Sequence, residues 1–175
     1  DVDALPLVDF LGPVAQQMVD IDGPNMRAVG TQVHHLQCNW KLMVDAFLEV
    51  YHVRTVHPDN AALLYDDHAV TVAMFPNGHS RLTVDKHEVF RDFPMVSEEH
   101  DNPAVPLLWR QTSTSFGIFP NLVVPMDTGA FTFLCMWPTS DTTTDLELRW
   151  YAPAWAGDAV PQEHLDRMAL FDTVM

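Results

Sequence analysis

Two histidines five residues apart, His52 and His57, follow two acids within "NWKLMVDAFLEVYHVRTVHPDN" at 39–60, a stretch otherwise patterned like an apolar helix. On a helix over 40–53, Asp45, Glu49 and His52 stand at i, i+4 and i+7 and share one stripe. A regular helix would turn His57 about 140° away from His52. Pro58 changes this, because the residue before a proline is pushed out of the helical region, which leaves His57 free to turn back. The two imidazoles can then form a claw around a transition metal.

An arbitrary HxxxxH is more often one core histidine and one surface histidine, and two features weigh against that reading here. A carboxylate on the same stripe can accept the second ring proton of a metal-bound imidazole. Asp45 and Glu49 would also be hard to justify on a buried stripe without a cation to face. The spacing does not match HExxH, where two histidines share a helix face with a glutamate base between them, so a zinc hydrolase is disfavoured. Two histidines and one carboxylate leave one face of an octahedron open, which suits a non-haem ferrous centre that handles dioxygen.

The elements that must position this claw read as α+β. Leu7, Val8, Leu11, Val14, Ala15 and Met18 recur at helical spacing, with Gly23-Pro24 closing the segment. Residues 27–38 alternate like a strand, and 68–75 and 80–90 form a hairpin around Pro76-Asn77-Gly78. Residues 91–106 are a polar, proline-containing loop, a flap over something. "TSFGIFP", "LVVPM", "AFTFLCMW" and "DLELRWYAP" then follow with the rhythm of antiparallel strands, and Pro161 opens a terminal helix that stops mid-pattern. The expected fold is a curled antiparallel sheet with a helix against its concave face.

At 175 residues and 47% hydrophobic content the chain can bury one real core, so a single domain over 1–175 is expected. Nine Lys+Arg against 24 Asp+Glu give a formal charge of −15, which repels nucleic acid and anionic membrane surfaces. Apolar runs fall far short of the roughly 20 residues that cross a bilayer. No export signal is visible in "DVDALPLVDF", and Cys38 and Cys135 make neither a disulfide framework nor a CxxC site, so a reducing cytoplasm is expected.

"NWK-x3-D-x3-E-x2-H-x4-HP" resembles the catalytic domain of the large (α) subunit of Rieske-type aromatic-ring-hydroxylating oxygenases, whose signature is acid-x3-acid-x2-His-x4-His. "LVDFLG", Asn39-Trp40-Lys41 and "GIFPNLVV" at 117–124 extend the likeness in the same order along essentially the whole chain. The resemblance implies a helix-grip fold of the START-like (SRPBCC) superfamily and a mononuclear Fe(II) held by His52 and His57. It implies that dioxygen is used to hydroxylate an apolar or aromatic small molecule, with Asp45 supporting the ligands. Glu49 corresponds to the residue that carries electrons from a Rieske 2Fe–2S cluster of a neighbouring subunit in a trimer. Many family members have aspartate there. A reductase or ferredoxin, and in some members a β subunit, complete the set of partners.

The Rieske motifs Cys-x-His and Cys-x2-His do not occur here, so that domain is expected before Asp1 in the full protein or is absent from it, and the chain alone is expected not to turn over. The family's third ligand is an aspartate on the C-terminal helix, expected just beyond Met175, with Asp172 as an in-chain substitute that reads more simply as a solvated acid. The competing class is a START-like module that binds a hydrophobic molecule without redox chemistry, for which two histidines and two acids on one helix have no use.

Asn39 and Tyr51 flank the motif and could orient ligands, although a tyrosine on an amphipathic helix commonly just packs. Met43, Phe47, Phe116, Phe119, Phe131, Phe133 and Met136 could line a substrate pocket. Alternating aromatics in strands mostly serve the core, so about a third of these are expected to touch a ligand. His34, His35, His79, His87 and His100 have no partner at ligand spacing and read as surface histidines.

Overall fold

A computed structural model describes residues 4–172, with the side chain of Asp172 outside the description. Among these residues seven strands form one antiparallel sheet: β1 (Met26–Leu36), β2 (Tyr65–Met74), β3 (Ser80–Lys86), β4 (Thr112–Ile118), β5 (Leu122–Asp127), β6 (Ala130–Pro138) and β7 (Thr144–Pro153). Their order is β1-β7-β6-β5-β4-β3-β2, a meander from β2 to β7 closed at its far edge by the first strand. The helices are α1 (Leu7–Leu11), α2 (Pro13–Asp20), α3 (Trp40–Ala46), α4 (Val53–Val56), α5 (Ala61–Leu64), α6 (Leu107–Gln111) and α7 (Gln162–Asp172). The α+β helix-grip expectation therefore holds.

Strand alternation divides the core in two. Leu134 lies opposite Leu148 and Met136 opposite Leu146, and all four are fully buried beneath Trp40, Phe47, Met168 and Phe171 of the helical layer. The other face of the sheet presents Phe116, Val124 and Phe131 to Val14 and Ile21 of the N-terminal helices and to Trp109 of α6. Gly30 of β1 leaves room for α7, since a Cβ there would meet the Met168 sulfur at 3.3 Å.

Two helices differ from the sequence pattern. The expected helix from Leu7 to Met18 is two, because Gly12 sits at φ +54°, ψ −130°, which only glycine adopts readily, and Pro13 then starts α2. The expected helix over 40–53 stops at Ala46 and resumes only at Val53. The cause is Glu49, whose carboxylate accepts the backbone N–H of Tyr51 and, at 3.4 Å, that of His52. A side chain that caps the next turn competes with continuation of the first helix.

Residues 91–106 form the expected connection, and they are tied down. Ser97 N–H donates to Glu163 of α7 at 3.0 Å, and Arg167 of α7 donates to the Met95 carbonyl at 2.7 Å.

Candidate functional site

The break after Ala46 decides where the chemistry points. With α3 ended, Asp45 is exposed and does not line the cavity described below, so the continuous stripe of Asp45, Glu49 and His52 does not exist. Glu49 and His52 lie on the irregular segment between α3 and α4, and His57 caps α4 at φ −123°, ψ 48°, outside the helical region as a residue before proline should be. The His52 and His57 rings stand 5.3 Å apart, centre to centre, at an interplanar angle of 80°. Two imidazoles sharing one ion at about 2.1 Å from each nitrogen have ring centres roughly 5 Å apart.

The donor chemistry fits a metal as well. His52 Nδ1 is hydrogen-bonded to the Glu49 carboxylate, which fixes the ring and leaves Nε2 free to ligate. Burial, and then the neighbouring His52, hold the His57 pKa below its ordinary value, so the ring is neutral at pH 7 and able to ligate. Among the described residues no acid completes a triad with this pair. Asp172 closes α7, but its side chain lies outside the described residues.

The pair opens on a cavity of about 450 Å³ between the helical layer and the sheet. Its sheet wall comes from Leu82 and Val84 of β3, Ser113 and Ser115 of β4, Thr132 of β6 and Trp150 of β7. Phe47, Leu64, Met95, Leu170 and Phe171 cover it. Space exists because the positions facing it on β4 and β6 are small, Ser113, Ser115 and Thr132. Ser113 and Ser115 face Val84 and Leu82, while Phe116 on the alternate face faces away.

This alternation corrects most of the aromatic expectation. Of the seven residues proposed for the pocket, Phe47 lines it, stacked at 6.4 Å on Phe171. Phe116 and Phe131 are buried in the core on the opposite face of the sheet with Phe133 packed against them, Met43 of α3 packs on the core cluster that holds the buried Met136, and Phe119 is exposed. Tyr51 is 87% exposed and orients no ligand. Asn39 caps α3, accepting from Lys41 N–H at 3.0 Å and donating to the Asp141 carbonyl at 2.7 Å, so it fixes the start of the helix instead of a ligand.

A polar group in the cavity wall was not anticipated. Asp127 pairs with Arg167 and accepts the N–H groups of Gly129 at 2.7 Å and Ala130 at 3.1 Å. Tyr65 is partly buried beside Ser113; burial, and then Asp127, raise its pKa. Lys86, also buried, donates to the Arg110 carbonyl at 2.9 Å, and burial lowers its pKa. The isolated Asp127-Thr128-Gly129 read as turn chemistry, which it is, and nothing in the sequence joined it to an arginine 40 residues later.

The surface reading of the remaining histidines fails at two positions. His79 is fully buried, with Nε2 at 2.9 Å from the Phe10 carbonyl and Nδ1 accepting Phe119 N–H at 3.1 Å. His100 bonds to Glu163 and lies 4.9 Å, centre to centre, from the ring of His164.

A family model described as "Ring hydroxylating alpha subunit (catalytic domain)" matches residues 24–174. A search of the curated proteins gives no match. Among solved structures, the quaternary ammonium Rieske monooxygenase CntA with an inhibitor superposes with a TM-score of 0.74 at 17% identity, covering 99% of this chain and 43% of that one. A variant of naphthalene 1,2-dioxygenase bound to phenanthrene gives 0.62 at 20% identity, covering 99% and 44%. NdmA of Pseudomonas putida with caffeine gives 0.56 at 16%, covering 86% and 42%. The chain spans less than half the length of these proteins, and at such identities the superpositions speak for the fold.

Proposed function

The chain belongs to the ring-hydroxylating alpha-subunit family, as its catalytic domain, and from that premise we propose that it houses the mononuclear iron site of a Rieske-type oxygenase acting on a small apolar or aromatic molecule. The observation that carries this reading is the placement of His52 and His57 5.3 Å apart at the rim of a largely apolar cavity, with Glu49 holding the first ring. His52 and His57 would hold Fe(II), which when bound supplies reductive activation of dioxygen. The third ligand is expected past Met175 or at Asp172.

The chain's own residues have defined tasks. Glu49 keeps the His52 proton on Nδ1, so the other nitrogen stays available. Trp150, Phe47 and Phe171 offer an apolar surface for a ring and keep water from it. Asp127 and Arg167 satisfy each other, so the wall carries no unpaired charge that would repel an apolar guest. Glu49 is the proposed entry point for electrons from a Rieske cluster of a neighbouring subunit in a trimer, supplied by a reductase or ferredoxin.

The test is iron content and product formation in the complete protein, with His52→Ala and His57→Ala as variants. Each variant should lose mononuclear iron and turnover while keeping the 2Fe–2S spectrum. Equal iron in all three proteins would end the ligand assignment, and tight binding of an aromatic guest without iron would identify a hydrophobic-ligand carrier instead.

A further inference from the structure

We infer that His100, Glu163 and His164 form a second metal-binding site, which takes a divalent cation of the zinc class and fastens the 91–106 connection to α7. One ligand atom from each residue lies within 4.8 Å of the others, and this is the one such group of three among the described residues. None of the three lines the cavity.

The second observation is His164 itself. It is 2% exposed, and neither ring nitrogen has a hydrogen-bond partner. The Pro153 carbonyl is near enough to favour its proton but lies outside hydrogen-bond geometry. An imidazole buried with two idle nitrogens is costly unless something occupies one of them. The ring beside it, Trp155 at 5.4 Å, also has a buried indole N–H without a partner.

The surroundings suit a cation. The His100 side chain is 8% exposed and that of Glu163 33%, so an ion can enter from the Glu163 side and end against His164. Glu163 is held by Ser97, whose N–H donates to it at 3.0 Å and whose hydroxyl donates at 2.9 Å, and it contacts the His100 ring, so its carboxylate is fixed within the group. Two imidazoles and one carboxylate select zinc or its late first-row neighbours over magnesium or calcium, and leave one tetrahedral position for water. The protein's charge of −15 favours cation uptake. Two of the ligands are on α7, whose Leu170 and Phe171 cover the cavity, and the third is on the connection that supplies Met95. The ion would therefore hold the cover in place.

The experiment is zinc titration by calorimetry of the complete, metal-stripped protein carrying His52→Ala and His57→Ala, which removes the proposed iron site and makes the outcome independent of that reading. One equivalent of Zn(II) should bind beyond any taken by the Rieske ligands. Adding Glu163→Gln, or His100→Gln at the other edge, should abolish that equivalent while circular dichroism shows an unchanged fold. Zinc binding that is absent before these substitutions, or indifferent to both of them, overturns the site and leaves a hydrogen-bonded latch between Ser97, His100 and Glu163.

Discussion

The β6–β7 ladder and the 47–64 segment form opposite walls of the same cavity and are built on opposite principles. In the ladder Leu134, Met136, Leu146 and Leu148 are fully buried, and Trp150 is 4% exposed. In the segment Val53 alone is buried, and two four-residue helices are joined by turns. One wall is fixed by packing. The other is fixed by a few hydrogen bonds that centre on Glu49 and Asn60, and it carries both histidines. The difference teaches that the proposed chemistry sits on the less packed element, so that stability and metal binding should respond to different substitutions.

The largest effect expected is on the packed wall. Leu148→Ala deletes a fully buried side chain and should cost about 2–5 kcal/mol. At about 2–4 °C per kcal/mol, that lowers the melting temperature by roughly 10 °C. Thermal unfolding checks it, and a shift of a degree or two would deny that this wall is the rigid one.

On the other wall, Glu49→Gln should reverse the pattern. An amide can still accept the Tyr51 and His52 N–H groups, so the break after Ala46 survives, but it is a weaker partner for His52 Nδ1 than a carboxylate. Iron affinity should fall by about 10- to 100-fold, with little change in melting temperature. Metal titration followed by unfolding of the same sample measures both. A large loss of stability with intact affinity would mean that Glu49 is a cap and nothing more.

The same contrast explains what the sequence disclosed. Strands announce themselves by alternation, and each of the strand expectations found its strand. His52 and His57 were legible because Pro58 forces a local departure from the helix, a backbone effect visible in two adjacent letters. The break at Glu49 was not, because glutamate is a good helix former and its capping depends on where the carboxylate reaches. The cavity wall was misassigned for a related reason. Phe116 and Phe131 attract notice as aromatics, but the residues that make room are Ser113, Ser115 and Thr132 on the alternate face. Pairings such as Asp127 with Arg167, or His100 with His164, join residues brought together by tertiary folding alone and leave no local pattern.

A smaller effect, confined to alkaline pH, tests the buried charge at the end of β3. Burial lowers the Lys86 pKa from 10.5, so between its folded value and 10.5 the unfolded chain holds more protons, and stability rises with pH across that window. The penalty for the buried ammonium is present in full below it. Tyr65 opposes this above pH 10, because burial and Asp127 raise its pKa and the unfolded chain ionises first. Lys86→Met should therefore abolish the gain and leave the tyrosine's loss exposed, as seen by urea unfolding at several pH values from 8 to 10.5. A variant with the same alkaline profile as the parent would place the buried proton elsewhere.

The smallest expected effect sharpens the comparison most. Tyr51 lies one residue before His52, yet it is 87% exposed. If the 47–64 wall is held by Glu49 and not by side-chain packing, Tyr51→Ala should change stability by less than about 0.5 kcal/mol, as exposed substitutions usually do. It should also leave iron content untouched. A drop in iron would show that the ring steadies the segment. A drop in the rate of electron arrival at unchanged iron and stability would instead place this exposed ring on the proposed path of electron delivery through Glu49.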